Sequence, residues 1–257
     1  HLENLDPFGT ERFHLEMEAA RLAYAVRDHY VTDPGYMDIC HTRLIGEDYI
    51  DQLAQRISID KRQTDFAETS LAPQTDTIYL SIVDKDGLSV SFINSLFSDF
   101  GSGIVAPESG VLLHCRGRSF KAQPGFANSI AGGKRPMHTI IPAVALKNGA
   151  PWLSFGVMGG HYQACGHAHL LTNIIDYGMD VQAAIDFPRM FFDLETHALQ
   201  AERLVPPSTI EGLKALGHTV VPAQGAIGGS QAIMIDKARH VLTAGSDPRK
   251  DGHAAGY

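Results

Sequence analysis

Near the start of the chain, apolar residues recur at helical spacing. Phe13, Met17, Ala20 and Tyr24 fall at i, i+4, i+7 and i+11, and Leu15, Ala19, Leu22 and Val26 form a parallel stripe. This broad face predicts a helix from Thr10, placed to cap it, to about Asp28, packed on a core. "TDPGY", Thr32 to Tyr36, reads as a turn. A second helical pattern covers Gly46 to Ile57. From 58 to 76 the chain is polar, with Lys61, Arg62, Gln63 and Pro73 and no clear period. That predicts a loop open to proteases.

At Thr77 the period shortens. Ile78 to Val83 reads as a strand, "DKDG" as a turn and Leu88 to Ser95 as the return strand, with Leu88, Val90 and Phe92 alternating with Ser89 and Ser91. Ile140 to Leu146 and Pro151 to Val157 flank Asn148-Gly149, a strong hairpin signal. A helix is predicted from Tyr162 to Tyr177, closed by Gly178. Asp180 caps a short helix that ends before Pro188. Pro206, Pro207 and Ser208 open another that stops at Gly217, and a last hairpin spans Ser230 to Ala244. Helices mixed with hairpin strands favour an antiparallel α+β layered fold over a Rossmann type.

Hairpin geometry brings candidate chemistry together. With the first turn centred on Lys85-Asp86, Thr77 lies opposite Asn94, and Ser95 is one residue off. With the second centred on Asn148-Gly149, Gly159 lies opposite His138 and Gly160 beside it. "VMGGH" then puts two glycines where a strand ends and a helix begins. Backbone N–H groups there, with no Cβ in the way, can face an anion, as an oxyanion hole requires. A strand threonine is ordinarily structural, and a Gly-Gly pair ordinarily a turn. His161, Cys165 and His169 share a helical stripe but match no common zinc spacing, so no metal or other cofactor is expected.

Bulk composition narrows the partners. Of 257 residues, 44% are hydrophobic and 19% charged, enough for a large core, and the net charge of −8 with no basic run excludes nucleic acid. No apolar run is long enough to span a membrane. Cys40, Cys115 and Cys165 are far apart and read as reduced thiols. That places the protein in the cytoplasm, with the periplasm left open. His1 reads as an internal position, so the chain is expected to be a piece of a longer one. Chemistry alone leaves enzyme and binding module open.

The order of motifs is more specific. "DTIYLSIVDKDG", "FGSGIVAPESGVLLHCRG", "KRPMHTIIPA", "GGH", "DYGMDVQAAIDFPR", "GSQAIMID" and "SDPRKDGHAAGY" together resemble the γ-glutamyltransferase family over essentially the whole chain. Residues 1–76 resemble the C-terminal part of that family's large subunit. Residues 77–257 resemble its small subunit. The resemblance implies one N-terminal-nucleophile hydrolase domain, an αββα sandwich, completed by the missing front part of the same precursor. It leaves oligomer formation open.

The resemblance also implies self-cleavage between Asp76 and Thr77. The threonine hydroxyl attacks the preceding carbonyl, and the freed α-amino group then serves as general base. Thr77 matches the nucleophile through "T-x-x-x-S-[IV]-V-D". Ser95 matches a threonine that bonds the nucleophile's amine, and Gly159 and Gly160 match the oxyanion glycines. Thr139 matches one of two serines that hold the substrate carboxylate, and His138 replaces the other. Phe97 replaces an asparagine, Arg116 a glutamine, and Ser119 the aspartate that grips a γ-glutamyl ammonium. Arg116 and Arg118 attract a carboxylate and repel an ammonium.

These changes, with "LL-x-x-RG", are similar to the branch that includes the oxamate amidohydrolases, and imply a small anionic amide as substrate. Two other readings stay open. One is a γ-glutamyl hydrolase or transferase, such as a glutathione hydrolase, with Asp99 or Glu108 supplying the lost charge. The other is a relative that never matures or does no catalysis.

Overall fold

The computed structural model describes residues 2–65 and 77–257. Asp76, one half of the expected cleavage site, lies outside the described residues, and so does most of the loop expected before it.

Helix α1 (Thr10–Tyr30) forms where the apolar stripes predict it. Phe13, Met17 and Tyr24 enter a core with Phe187, Met190, Phe192, Leu199 and Leu213. Thr10 does not cap the helix. Gly9 holds the N-cap position without a side-chain bond. Thr10 is instead pressed against Gly212, where a Cβ would lie 2.2 Å from its Oγ1. The turn after α1 forms around Asp33, whose side chain accepts from Gly35 N at 3.2 Å. Two short helices follow, α2 (His41–Leu44) and α3 (Glu47–Ala54), and the second is shorter than its pattern suggests.

The hairpin β1 (Thr77–Val83) and β2 (Ser89–Ser95) starts on Thr77 as expected, but its register differs by one. Thr77 faces Ser95, and Ile78 faces Asn94. The cause is Gly87, at φ 83°. Asp84 N bonds Leu88 O at 3.1 Å while Gly87 N bonds Asp84 O at 3.0 Å, so a bulged loop adds a residue and recentres the turn on Asp86.

The rest of the chain runs β3 (Ala143–Lys147), β4 (Ala150–Met158), α4 (Gln163–Ile175), α5 (Val181–Asp186), β5 (Met190–Phe192), β6 (Leu199–Ala201), α6 (Pro207–Ala215), β7 (Val220–Pro222), β8 (Gly229–Asp236) and β9 (Val241–Ser246). The Asn148-Gly149 turn forms with both residues at positive φ. β3, however, begins only at Ala143 and carries a register shift between Ala145 and Leu146. The expected pairing of His138 with Gly159 is therefore not made. The short sheet β5-β6-β7, with β6 and β7 parallel, has no sequence signal: strands of three residues are too short to show a period.

Among the described residues three layers stack. The β1–β2 hairpin lies on the sheet β3-β4-β8-β9, and α4 and α5 cover that sheet's other face. β4 is buried on both faces. Leu153 and Phe155 meet Leu170, Ile174 and Ile185 on the helical side. On the other side Ser154 bonds Ser81 Oγ at 2.6 Å. Gly156 lies under the Tyr79 ring, where a Cβ would come within 2.3 Å of a ring carbon, so only glycine fits there. The hairpin's outer face (Ile78, Leu80, Ile82, Val90 and Phe92) is exposed.

Candidate active site

The open end of the β1–β2 hairpin gathers most of the expected residues. Thr77 Oγ1 donates to Ser95 Oγ at 3.2 Å. Ser95 Oγ also accepts from Phe97 N at 3.1 Å. Phe97 is fully buried at φ 82°, a costly conformation for a bulky side chain. Its strain places the ring beneath Arg116, whose guanidinium sits 5.2 Å from the ring centroid. Cys115 N bonds Leu96 O at 3.0 Å, which ties the Arg116 turn to the end of β2.

Arg116 is 93% buried by its 7% relative exposure. Among the described residues neither Nη1 nor Nη2 has a hydrogen-bond partner. Burial lowers its pKa, offset only in part by the neighbouring Cys115 thiol, and among the described residues no carboxylate pairs with it. A buried guanidinium that lacks a partner costs several kcal/mol unless an anion meets it. His138 lies nearby, exposed, with its pKa lowered by partial burial and by the Arg116 and Arg135 charges. Thr139 is buried beside it.

Other expected residues face elsewhere. Arg118 is exposed, and its Nη1 donates to Ser98 Oγ at 3.3 Å. Ser119 is buried, and its hydroxyl donates to Met137 O at 2.8 Å. That bond, with Asn128 Nδ2 donating to Ser119 O at 2.7 Å and Asn128 Oδ1 accepting from Met137 N at 3.1 Å, fixes the loop carrying Arg116 against the one carrying His138.

Gly159 and Gly160 follow the end of β4, at φ 124° and 57°, and lead through a turn of 3-10 helix into α4. Met158 packs on Tyr79 and Ile93, with Ile140 against them. Tyr79 and Ile93 are each two residues from Thr77 and Ser95, so the glycine turn, Thr139 and Thr77 share one end of the sandwich. A Cβ on Gly159 would sit 2.6 Å from Gly228 Cα. Gly228 has no part in the sequence-based site, although the Gly228-Gly229 pair was a legible signal.

His161, Cys165 and His169 each turn to a different partner. His161 Nδ1 meets Arg27, and His169 Nδ1 meets Glu16 at 3.0 Å. Burial pushes the Cys165 thiol up to about 12. Elsewhere His14, Glu18 and His218 bring ligand-type atoms within 4.8 Å of one another. Hydrogen bonds already use those atoms. His14 Nε2 donates to Ser58 O at 2.7 Å, so its Nδ1 accepts from His218 Nε2 at 2.8 Å. His218 Nδ1 then accepts from Arg21 at 3.2 Å, and Glu18 accepts from Arg21 and Gln63 N. Arg21 already supplies the cation there.

Stacked antiparallel sheets and a helical layer make an α+β fold, and its similarity to solved structures places it in the N-terminal-nucleophile hydrolase class. The chain belongs to the γ-glutamyltranspeptidase family, whose profile matches residues 1–257. It is 35% identical over 253 residues to a glutathione hydrolase-like proenzyme of Bacillus subtilis, covering 96% of this chain and 47% of that protein. It is 34% identical over 266 residues to the oxamate amidohydrolase proenzyme of Klebsiella pneumoniae, covering 100% of this chain and 49% of that protein. The cephalosporin acylase of Bacillus halodurans superposes with a TM-score of 0.86 at 35% identity, over 96% of this chain and 45% of that one. The chain thus spans about half the length of the curated relatives it matches. Among the described residues no helix is long and apolar enough to cross a membrane.

Proposed function

We propose that this chain is the C-terminal part of a self-processing amidohydrolase with Thr77 as its nucleophile and a small anionic amide, such as oxamate, as its substrate. Residues 1–76 end the large subunit, residues 77–257 form the small one, and cleavage falls between Asp76 and Thr77. The observation that carries the substrate class is Arg116, buried over Phe97, with both Nη groups free and no carboxylate paired with it among the described residues. Two similar proteins are named as proenzymes, one of them an oxamate amidohydrolase.

Each group has a role. The α-amino group of Thr77, with an ordinary pKa of ~7.7–8.0, takes the hydroxyl proton as Oγ1 adds to the amide carbon. Ser95 holds Oγ1. Gly159 and Gly160 N–H groups face the oxyanion. Arg116, with Thr139 and His138, holds the substrate carboxylate. The C–N bond breaks, the amine proton passes to the leaving nitrogen, and water then hydrolyses the Thr77 ester. Arg118 and Ser119 act on the pocket through the loops they fix, at Ser98 and Met137.

The second reading, a γ-glutamyl hydrolase or transferase, is favoured by the glutathione hydrolase-like relative. It needs an acid for the substrate ammonium, and Asp99 and Glu108 both lie exposed on the loop after β2. The test compares kcat/KM for oxamate and a γ-glutamyl anilide on one matured full-length preparation. Oxamate is expected to win, and a clear preference for the anilide would reject the small anionic substrate.

A further inference from the structure

A glycine turn at positive φ aims its N–H groups only while its flanks are held. Gly228 covers one flank of Gly159-Gly160. His161, the next residue, is held from α1. The Tyr24 hydroxyl donates to the His161 carbonyl oxygen. Arg27 Nη1 donates to His161 Nδ1 at 3.3 Å, and its guanidinium stacks 4.0 Å from the Tyr24 ring centroid. Arg27 is fixed in turn by Asp28, 2.7 Å from Nε.

Tyr24 has little freedom to point elsewhere. It is buried, with its ring edge-on to Phe191 and Phe192 at 5.8 and 5.5 Å. Burial raises the phenol's pKa well above its ordinary value, with Cys165 adding to the shift, so the hydroxyl stays a donor. His161 lies within the single turn Gly160–Tyr162, and Tyr162 N closes that turn on Gly159 O at 3.0 Å. A displaced His161–Tyr162 peptide therefore shifts the Gly159–Gly160 peptide, which carries the Gly160 N–H.

We propose that Tyr24 and Arg27 are positioning residues that set the Gly159-Gly160 turn from the other side of the Asp76–Thr77 bond. The segment that processing separates from Thr77 then remains a working part of the mature enzyme. The inference rests on reading Thr77 as the cut site and the two glycines as oxyanion donors. It goes beyond that reading by making the aim of those donors depend on two side chains remote from the nucleophile.

The test is a double-mutant cycle in the full-length precursor, assayed with oxamate and with γ-glutamyl-p-nitroanilide. Tyr24→Phe keeps the ring and loses the donor. Arg27→Leu covers the ring without the charge, and it carries the test if Tyr24→Phe fails to mature. Each single variant is expected to be cut and to lose about 5- to 10-fold in kcat, with KM changed less than about two-fold. Gly160→Ala keeps its N–H but strains the turn at φ 57° that aims it, and should lose up to about 10²-fold. Adding Tyr24→Phe to Gly160→Ala should cost almost nothing more, because both act on one turn. A merely structural role would instead multiply the losses, and that result overturns the proposal. Wild-type kcat in both Tyr24→Phe and Arg27→Leu, with Gly160→Ala impaired, overturns this proposal alone. Wild-type turnover in Gly160→Ala overturns the oxyanion reading beneath it.

Discussion

Thr77 stands directly opposite Ser95 in the β1–β2 ladder, and the threonine hydroxyl donates to the serine across 3.2 Å. The serine oxygen also accepts from Phe97 N, so its position is set by backbone. Thr77→Ala should give an uncut, inactive precursor, and Thr77→Ser should keep some cutting because a hydroxyl remains. Ser95→Ala removes one acceptor from two donors. A typical net value of about 1 kcal/mol per bond predicts maturation slowed by roughly 5- to 10-fold. Denaturing gels over time, with N-terminal sequencing of the smaller product, check all three. A small subunit beginning anywhere but Thr77 removes it as the nucleophile.

The two glycines should differ in how they fail. Gly160→Val keeps its N–H but cannot hold φ 57° without strain, so the donor is re-aimed. Its kcat should fall by up to about 10²–10³, with binding less affected, since that bond strengthens in the transition state. Gly159→Ala meets Gly228 Cα at 2.6 Å, a backbone atom that cannot swing aside. That variant should lose thermal stability as well as turnover. Melting temperatures beside kinetics separate the two, and wild-type turnover in a folded Gly160→Val protein takes the pair out of the mechanism.

Much of the fold was legible because its signals were long. α1 shows two apolar stripes, β2 alternates cleanly, and Asn148-Gly149 marks a tight turn. Register was less legible. One left-handed glycine, Gly87, shifts every pair in the first hairpin, and the Ala145/Leu146 irregularity shifts the second. Around the candidate site, motif order brought out Thr77, Ser95, Gly159 and Gly160. It gave no sight of Tyr24, Arg27, Asn128 or Gly228, which act through tertiary contacts between distant segments. Ser119 and Arg118 are typical of what a sequence cannot say: the residue type is visible, but not that one hydroxyl turns to Met137 and one guanidinium to Ser98.

Acid should destabilise the protein through two buried histidines. His218 is pushed down to about 3 by burial and by Arg21 and His14, and His167 to about 4 by burial. Unfolded imidazole titrates near ~6.5, so on acidification the unfolded chain takes up protons first. The contribution is fully present above ~6.5 and is lost as pH falls towards 4 and then 3. Each group contributes a slope of up to about 1.4 kcal/mol per pH unit in that window. Urea midpoints of the matured protein should therefore fall from pH 7 to pH 4.5. His218→Gln should reduce the slope by about one proton. A midpoint that does not move across that range would mean these imidazoles are not buried in neutral form.

Arg116 should trade stability against activity. Its guanidinium is buried with no carboxylate paired to it among the described residues, a state that costs several kcal/mol, and replacing buried ions by apolar groups of similar volume is often neutral or stabilising. Arg116→Met keeps a stem over the Phe97 ring and removes the charge. The melting temperature of the variant should be unchanged or higher. Turnover of oxamate should fall, because a charge-assisted bond contributes ~1.5–3 kcal/mol, or roughly one to two decades in kcat/KM. A neutral amide of equal size should lose much less, since it makes no such bond. Ser119→Asp tests the same point from the other side. The new carboxylate would displace the Met137 contact and sit near Arg116, pairing the guanidinium and competing with substrate, so oxamate turnover should fall there too. The measurements are melting curves and kcat/KM for the charged and the neutral amide on each matured variant. Equal losses on both amides in Arg116→Met would show that Arg116 shapes the pocket without binding the carboxylate.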